Sequence, residues 1–180
     1  MWKSIAIVVL VLLVIAGGLL LFAATKPDTF QVQRTATIKA PPERIFSLIG
    51  DFHRWTVWSP YEKLDPAMRR TLSGAAEGKG SIYEWDSDGR AGRGRMEITD
   101  ASPPWQVTIK LDFVKPFESH NTVNFTLRPQ GESTNVTWAM QGPNPYIAKV
   151  MSIFVSMDSL VGKDFETGLA NLKTLAEGGQ

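Results

Sequence analysis

The chain contains no cysteine and only two histidines among its 180 residues. The first absence excludes disulfides, thiolate metal sites and cysteine nucleophiles. His53 and His120 stand far apart and outside any metal-ligand spacing, so neither a metal site nor a cofactor is expected. Charge of one sign is also missing, with 19 Lys and Arg against 18 Asp and Glu. Neutralising many phosphates requires a basic excess or a strongly basic face, so nucleic acid is not an expected partner. Glycine-rich phosphate motifs are absent as well. The run Gly74 to Ser81 is one residue short of a phosphate loop and has glycine where Ser or Thr is required. Gly89 to Arg95 lacks dinucleotide-binding spacing, and its Arg90, Arg93 and Arg95 read as alternating positions on a solvent-facing strand. Asn124-Phe-Thr and Asn135-Val-Thr fit the glycosylation pattern by chance within strands.

What is present is unevenly spread. Hydrophobic residues make up 43% of the chain, yet twenty of the first 25 residues belong to that class. Between Lys3 and Lys26 lie 22 uncharged residues, 4–25. As a helix at 1.5 Å per residue they would extend about 33 Å, the thickness of a bilayer core. A cleaved signal peptide would have a shorter apolar region, and Ala23-Ala24-Thr25 is a poor small-residue cleavage site. A retained single-pass anchor is therefore expected. Its orientation is open: Lys26, Arg34 and Lys39 on the C-terminal flank outnumber Lys3, whereas the very short tail before a signal-like segment favours an extracytoplasmic C-terminal part.

Beyond Pro27, Phe30, Val32, Ala36 and Ile38 alternate with polar residues, a strand pattern interrupted at Arg34. Pro41-Pro42-Glu43 opens a short helix whose buried stripe is Ile45, Phe46 and Ile49. Residues 51–66 are too punctuated for a long helix and read as a broken helix and loop. From about Met68 to Gly142 the alternation of large apolar and polar residues, broken by turn signals, predicts six antiparallel strands with one wet face and one covered face. The cover is a helix from an Asn144 cap and Pro145 to Gly178, with apolar residues from Ile147 to Leu175 at three-and-four spacing. Uninterrupted, it would be about 50 Å long, with Gly162 and Gly168 marking close approach to the sheet or a bend.

One strand, two short helices, six strands and a long terminal helix is the order of elements in the α+β helix-grip, or START-like, fold. The local sequences Ala40-Pro-Pro-Glu-Arg-Ile-Phe46, Trp55-Thr-Val-Trp58-Ser-Pro60 and Gly162-Lys-Asp-Phe-Glu-Thr-Gly-Leu169 carry a resemblance to the SRPBCC superfamily, particularly its polyketide cyclase/dehydrase branch. The resemblance extends from about Phe30 to Glu177, and gives an anchor and linker at 1–28 followed by a helix-grip domain at 29–180. It implies a curved sheet wrapped around the terminal helix, with an apolar cavity between them for a lipid or other hydrophobic small molecule. The large residues expected on the inner faces are Trp58, Tyr83, Trp85, Phe113, Phe125, Trp138 and Met140, facing Met151, Phe154 and Met157. They can line such a cavity or interdigitate as solid core.

Three functional readings follow. The first is a membrane-tethered binding domain for a hydrophobic molecule, without covalent chemistry. The second is a cyclase/dehydrase-like enzyme, in which His53 or a buried carboxylate would move a proton, although burial and a partner for His53 are not visible in the sequence. The third is an anchored module that docks a protein on its outer surface.

Overall fold

The computed structural model describes residues 2–89 and 91–178. Arg90, nominated above as a strand position, lies outside them. The uncharged N-terminal run forms α1, Trp2–Ala24, which is long and apolar enough to cross a membrane. The alternating segment after it forms β1, Thr29–Ile38. Pro42 then occupies the first turn of α2, Pro42–Ile49, with Glu43 beside the positive helix end and Ile45 and Ile49 buried. The punctuated region breaks into a 3-10 turn at Phe52–Arg54, a single α turn, α3, at Trp55–Trp58, and a second 3-10 turn at Pro60–Lys63.

Six strands follow as expected: β2 (Arg69–Gly74), β3 (Ser81–Asp86), β4 (Arg93–Ser102), β5 (Gln106–Lys115), β6 (Ser119–Gln130) and β7 (Ser133–Pro143). With β1 they make one antiparallel sheet in the order β1-β7-β6-β5-β4-β3-β2. The first and last strands thus pair, Val32 opposite Met140 and Arg34 opposite Trp138. Register shifts in β4 at Arg93/Gly94 and Ile98/Asp100 add local bend and twist to the curved sheet. On its covered face Val107, Ile109, Val123, Phe125, Val136 and Trp138 are buried, while Lys110 and His120 lie in water. The glycine run before β3 is a turn: Gly74 has a positive φ of 76°, and a Cβ there would run into the Gly80 carbonyl.

The C-terminal segment departs from the expectation of one continuous helix. It forms α4, Tyr146–Met151, and α5, Met157–Glu177, separated by Ser152 to Ser156. The Ser156 hydroxyl accepts from the Ser159 amide at 3.1 Å and starts a new helix, with Asp158 in its first turn. Three-and-four spacing cannot register this, because Phe154 and Val155 keep the apolar rhythm through the break. Asn144 does not cap α4. Its side chain instead donates to the Pro27 carbonyl at 3.0 Å, fastening the end of β7 to the segment after α1.

Helix α5 crosses β1 with Phe165, Leu169, Leu172 and Ala176 buried. The interruption at Arg34 has its explanation here. Arg34 points to the helix side of β1, where its guanidinium donates to Asp158 at 2.7 and 3.0 Å and to Glu166 at 2.7 Å. Gly162 sits between them, and a Cβ on it would strike the guanidinium. Hydrogen bonding to Arg34 holds the Asp158 carboxyl below its ordinary value of 3.8. A carboxyl depressed on folding stabilises the native state above its unfolded value, and that contribution disappears as pH falls through the depressed one. Thermal melts from neutral pH downward should therefore show a decline below about pH 4 that is shallower in Asp158→Asn. An unchanged acid limb in that variant would dismiss the ion pair as a source of the decline.

Candidate functional site

The space between α5 and the sheet is organised around Trp138, which is only 2% exposed. Strand alternation aims it inward from β7, and Gly168 lets α5 approach its ring. Phe165 stacks on it at a centroid distance of 4.2 Å and an interplanar angle of 9°. Phe125 lies at 4.9 Å, Trp58 meets it edge-on at 5.7 Å, and Tyr61 is at 6.4 Å. The rings interdigitate in the edge and offset geometries aromatic quadrupoles favour. The inner residues nominated from sequence in this part of the sheet, Trp58, Phe125, Trp138 and Met140, thus come together as a packed layer.

Four buried indoles can be compared. Trp55 Nε1 donates to the Ile49 carbonyl at 2.9 Å, Trp58 Nε1 to Leu48 at 3.0 Å and Trp85 Nε1 to Ala91 at 2.9 Å. Trp138 Nε1 is buried with no acceptor among the described residues. A buried N–H without a partner costs about 1–3 kcal/mol, so this atom is the place in the layer where an added oxygen would be most favourable.

Tyr83, Trp85 and Phe113 form a second group towards the other edge of the sheet, with centroid separations of 6.2 and 5.5 Å. Phe52 bridges the groups, 5.9 Å from Tyr83 and 5.2 Å from Trp55. At this end the Tyr83 hydroxyl donates to Glu62 Oε1 at 2.5 Å, and Arg70 Nε donates to Glu62 Oε2 at 2.5 Å. Burial, followed by the neighbouring Glu62, pushes the Tyr83 hydroxyl well above its ordinary value of 10.0, keeping it a donor. Arg70 also holds the Met68 and Glu62 carbonyls, so the trio saturates itself and pins the second 3-10 turn to β2 and β3.

Two nominated residues are misplaced by the sequence reading. Met151 and Phe154 were expected to face the sheet, yet they are 59% and 74% exposed. The break at 152–156 removes the helical phase that would have carried them inward. Met157, at the start of α5, is half-buried against the core. His53 is also outside the layer. Its ring is largely in water, with Nδ1 2.8 Å from Asp51 Oδ1, beside an open surface cleft of about 260 Å3 lined by Phe52, Leu72 and Ser73. His120 pairs with Asp112 at 2.7 Å on the wet face of the sheet. Arg93 borders a second surface cleft and Arg95 pairs with Glu97 at 2.8 Å.

Sequence reasoning passed over Phe165, Tyr61 and the Glu62–Arg70 pair. Phe165 had a usable signal: it lies midway between Gly162 and Gly168, the two positions where α5 closes on the sheet. Glu62 and Arg70 had none, because a loop carboxylate and a strand arginine become partners only when the second 3-10 turn folds back.

Comparison with known proteins agrees with this architecture. Residues 29–177 match the family model described as polyketide cyclase/dehydrase and lipid transport. No curated protein gives a significant match. Among solved structures, the Aha1 dimer from Colwellia psychrerythraea is 18% identical with a TM-score of 0.60, covering 84% of this chain and 98% of its own. A Mycobacterium smegmatis protein is 21% identical with a TM-score of 0.60, covering 86% and 96%. The di-domain ARO/CYC protein StfQ of the steffimycin biosynthetic pathway is 10% identical with a TM-score of 0.64, covering 83% of this chain and 51% of its own. At these identities the likeness is one of fold.

Proposed function

The chain belongs to the polyketide cyclase/dehydrase and lipid transport family, and from that premise we propose that it is a membrane-anchored helix-grip domain that binds a hydrophobic small molecule or lipid. Residues 1–28 act as tether and linker, and residues 29–180 as the binding domain. A bilayer is the reservoir of apolar ligands, so the anchor keeps the domain where its ligand is concentrated.

The observation that carries the reading is the unpartnered Trp138 Nε1–H inside a layer of packed aromatic rings. An apolar molecule with one oxygen acceptor suits that environment, since pockets of this class combine apolar lining with a few polar groups. The rings occupy the space between sheet and helix, so a ligand enters only as α5 shifts away from β7. The five residues from Ser152 to Ser156 supply the point about which α5 can move. The enzymatic alternative has its close polar pair in Tyr83 and Glu62. Both are committed to each other and to Arg70, which favours binding without covalent chemistry.

Native mass spectrometry of detergent-extracted protein should reveal a retained apolar adduct. A panel of fatty acids, polyprenols and aromatic polyketides should give saturable quenching of tryptophan emission for at least one class. Trp138→Phe keeps a ring in place while removing the donor, and should weaken that binding roughly tenfold, the worth of one hydrogen bond. An empty spectrum together with no saturable ligand sinks the binding reading; undiminished affinity in Trp138→Phe removes the indole from it.

A further inference from the structure

The exposed apolar residues of the C-terminal region are concentrated beside the end of α1. Ile147, Met151, Phe154 and Val155 are 67%, 59%, 74% and 50% exposed. The spacing of four and three follows one side of α4 from Ile147 to Met151 and on to Phe154 in the turn after it, where Val155 is the adjoining residue. Leu160, at the start of α5, is also 58% exposed. From Pro143 to Met157 the one charged residue is Lys149. It is turned away, 7% exposed, with its ammonium 2.6 Å from Asp28 Oδ1.

Two hydrogen bonds and one buried residue mark where this surface meets the membrane-crossing candidate. The Tyr146 hydroxyl donates to the Leu20 carbonyl at 2.9 Å. Lys26 Nζ donates to the Ser152 carbonyl at 3.2 Å. Ala23 is fully buried, in contrast to most of α1. Leu20 lies four residues before Ala24, so Tyr146 sits about 6 Å inside the C-terminal end of the apolar helix. That is the depth of the bilayer interface, where tyrosine is enriched and where helices with one apolar face lie flat.

We propose that α4 and the turn at 152–156 form a second membrane contact, seated in the interfacial layer of the bilayer that α1 crosses. The proposal rests on α1 spanning that bilayer. The occupant of the patch is lipid because its exposed apolar side chains are continuous with α1, and because Lys149 is engaged by Asp28 and Lys26 by the Ser152 carbonyl. The consequence is a domain held in one orientation at the membrane rather than swinging on a tether. The start of α5, the element that must move to admit a ligand, then lies at the lipid surface.

The absence of cysteine makes the test direct. Single substitutions Ile147→Cys, Phe154→Cys, Lys110→Cys and Leu12→Cys in the full chain are labelled with an environment-sensitive fluorophore and reconstituted in phosphatidylcholine vesicles. Nitroxides are carried either near the lipid headgroup or deep in the acyl chain. The expected result is a blue shift and quenching by the shallow nitroxide at 147 and 154, quenching by the deep nitroxide at 12, and aqueous emission at 110. Aqueous emission at both 147 and 154 with deep quenching at 12 overturns the second contact while α1 still spans. Loss of deep quenching at 12 overturns the spanning reading and the inference with it. Shielding at 147 and 154 that vanishes as the protein-to-lipid ratio is lowered, without nitroxide quenching, assigns the patch to a second protein and also overturns the proposal.

Discussion

Trp138→Ala should lower the unfolding free energy by about 3–5 kcal/mol, the range for removing a large aromatic side chain from a packed core. The upper part of that range is expected because Trp138 is shared by four other rings. Phe165 would lose its stacked partner and Trp58 its edge contact, while Phe125 and Tyr61 would border the void. These rings come from β6, α3, the second 3-10 turn and α5, so no single neighbour can move in to fill the cavity. For a domain of this size the loss corresponds to a fall in Tm of roughly 10 °C or more. Trp138→Phe should cost less, since it retains much of the ring and removes an indole donor that has no acceptor. Urea unfolding in detergent, followed by circular dichroism, separates the two. A loss below about 1 kcal/mol for Trp138→Ala would mean that the layer is loosely packed and that α5 already stands off the sheet.

Gly168→Val, at a buried position on α5, should cost about 2–3 kcal/mol through overpacking. A Cβ at this position would come within 2.6 Å of Trp138 Cζ3 and 3.1 Å of Pro60 Cδ. Real Cβ atoms do not approach so closely, so α5 must lift or the indole must rotate, and rotation is opposed by Phe165 and Phe125. Glycine in a helix interior is itself unfavourable by about 1 kcal/mol relative to alanine, which offsets part of the penalty in Gly168→Ala and makes valine the clearer probe. The pair of sites should couple. In the double variant Gly168→Val with Trp138→Ala, the added methyls enter the space the indole vacates, so the combined loss should fall short of the sum by about 1 kcal/mol or more. Strict additivity would place the two residues in separate parts of the core.

Much of this architecture was legible in the chain because its periodicities are local. Alternation of apolar and polar residues located β1 and the six strands from Arg69 to Pro143, and the Pro41-Pro42-Glu43 signal located the start of α2. The Gly162 and Gly168 positions were legible as close approaches, though their partners, Arg34 and Trp138, were not. The terminal helix was overextended because hydrophobic spacing continues through Phe154 and Val155. The competing signal was the serine cap at Ser156 with Asp158 behind it, and capping prevailed over periodicity.

Site residues were less legible for a different reason. An inward position on a strand is a local property, whereas which inward side chains meet depends on sheet register and helix placement. Trp58, Phe125, Trp138 and Met140 were gathered into one layer by β6–β7 pairing and by the fold-back of α3. Met151 and Phe154 were sent to the surface by a break five residues long.

Sequence alone determined the uncharged N-terminal run, the absence of cysteine chemistry, the near-neutral charge and the order of elements, since each is a matter of composition or short-range pattern. The tertiary structure decided the rest. Only the closure of α5 onto β1 and β7 filled the interior with rings and left one indole N–H unanswered. Only the placement of α4 against the end of α1 gathered a set of exposed apolar side chains beside the helix that is long and apolar enough to cross a membrane.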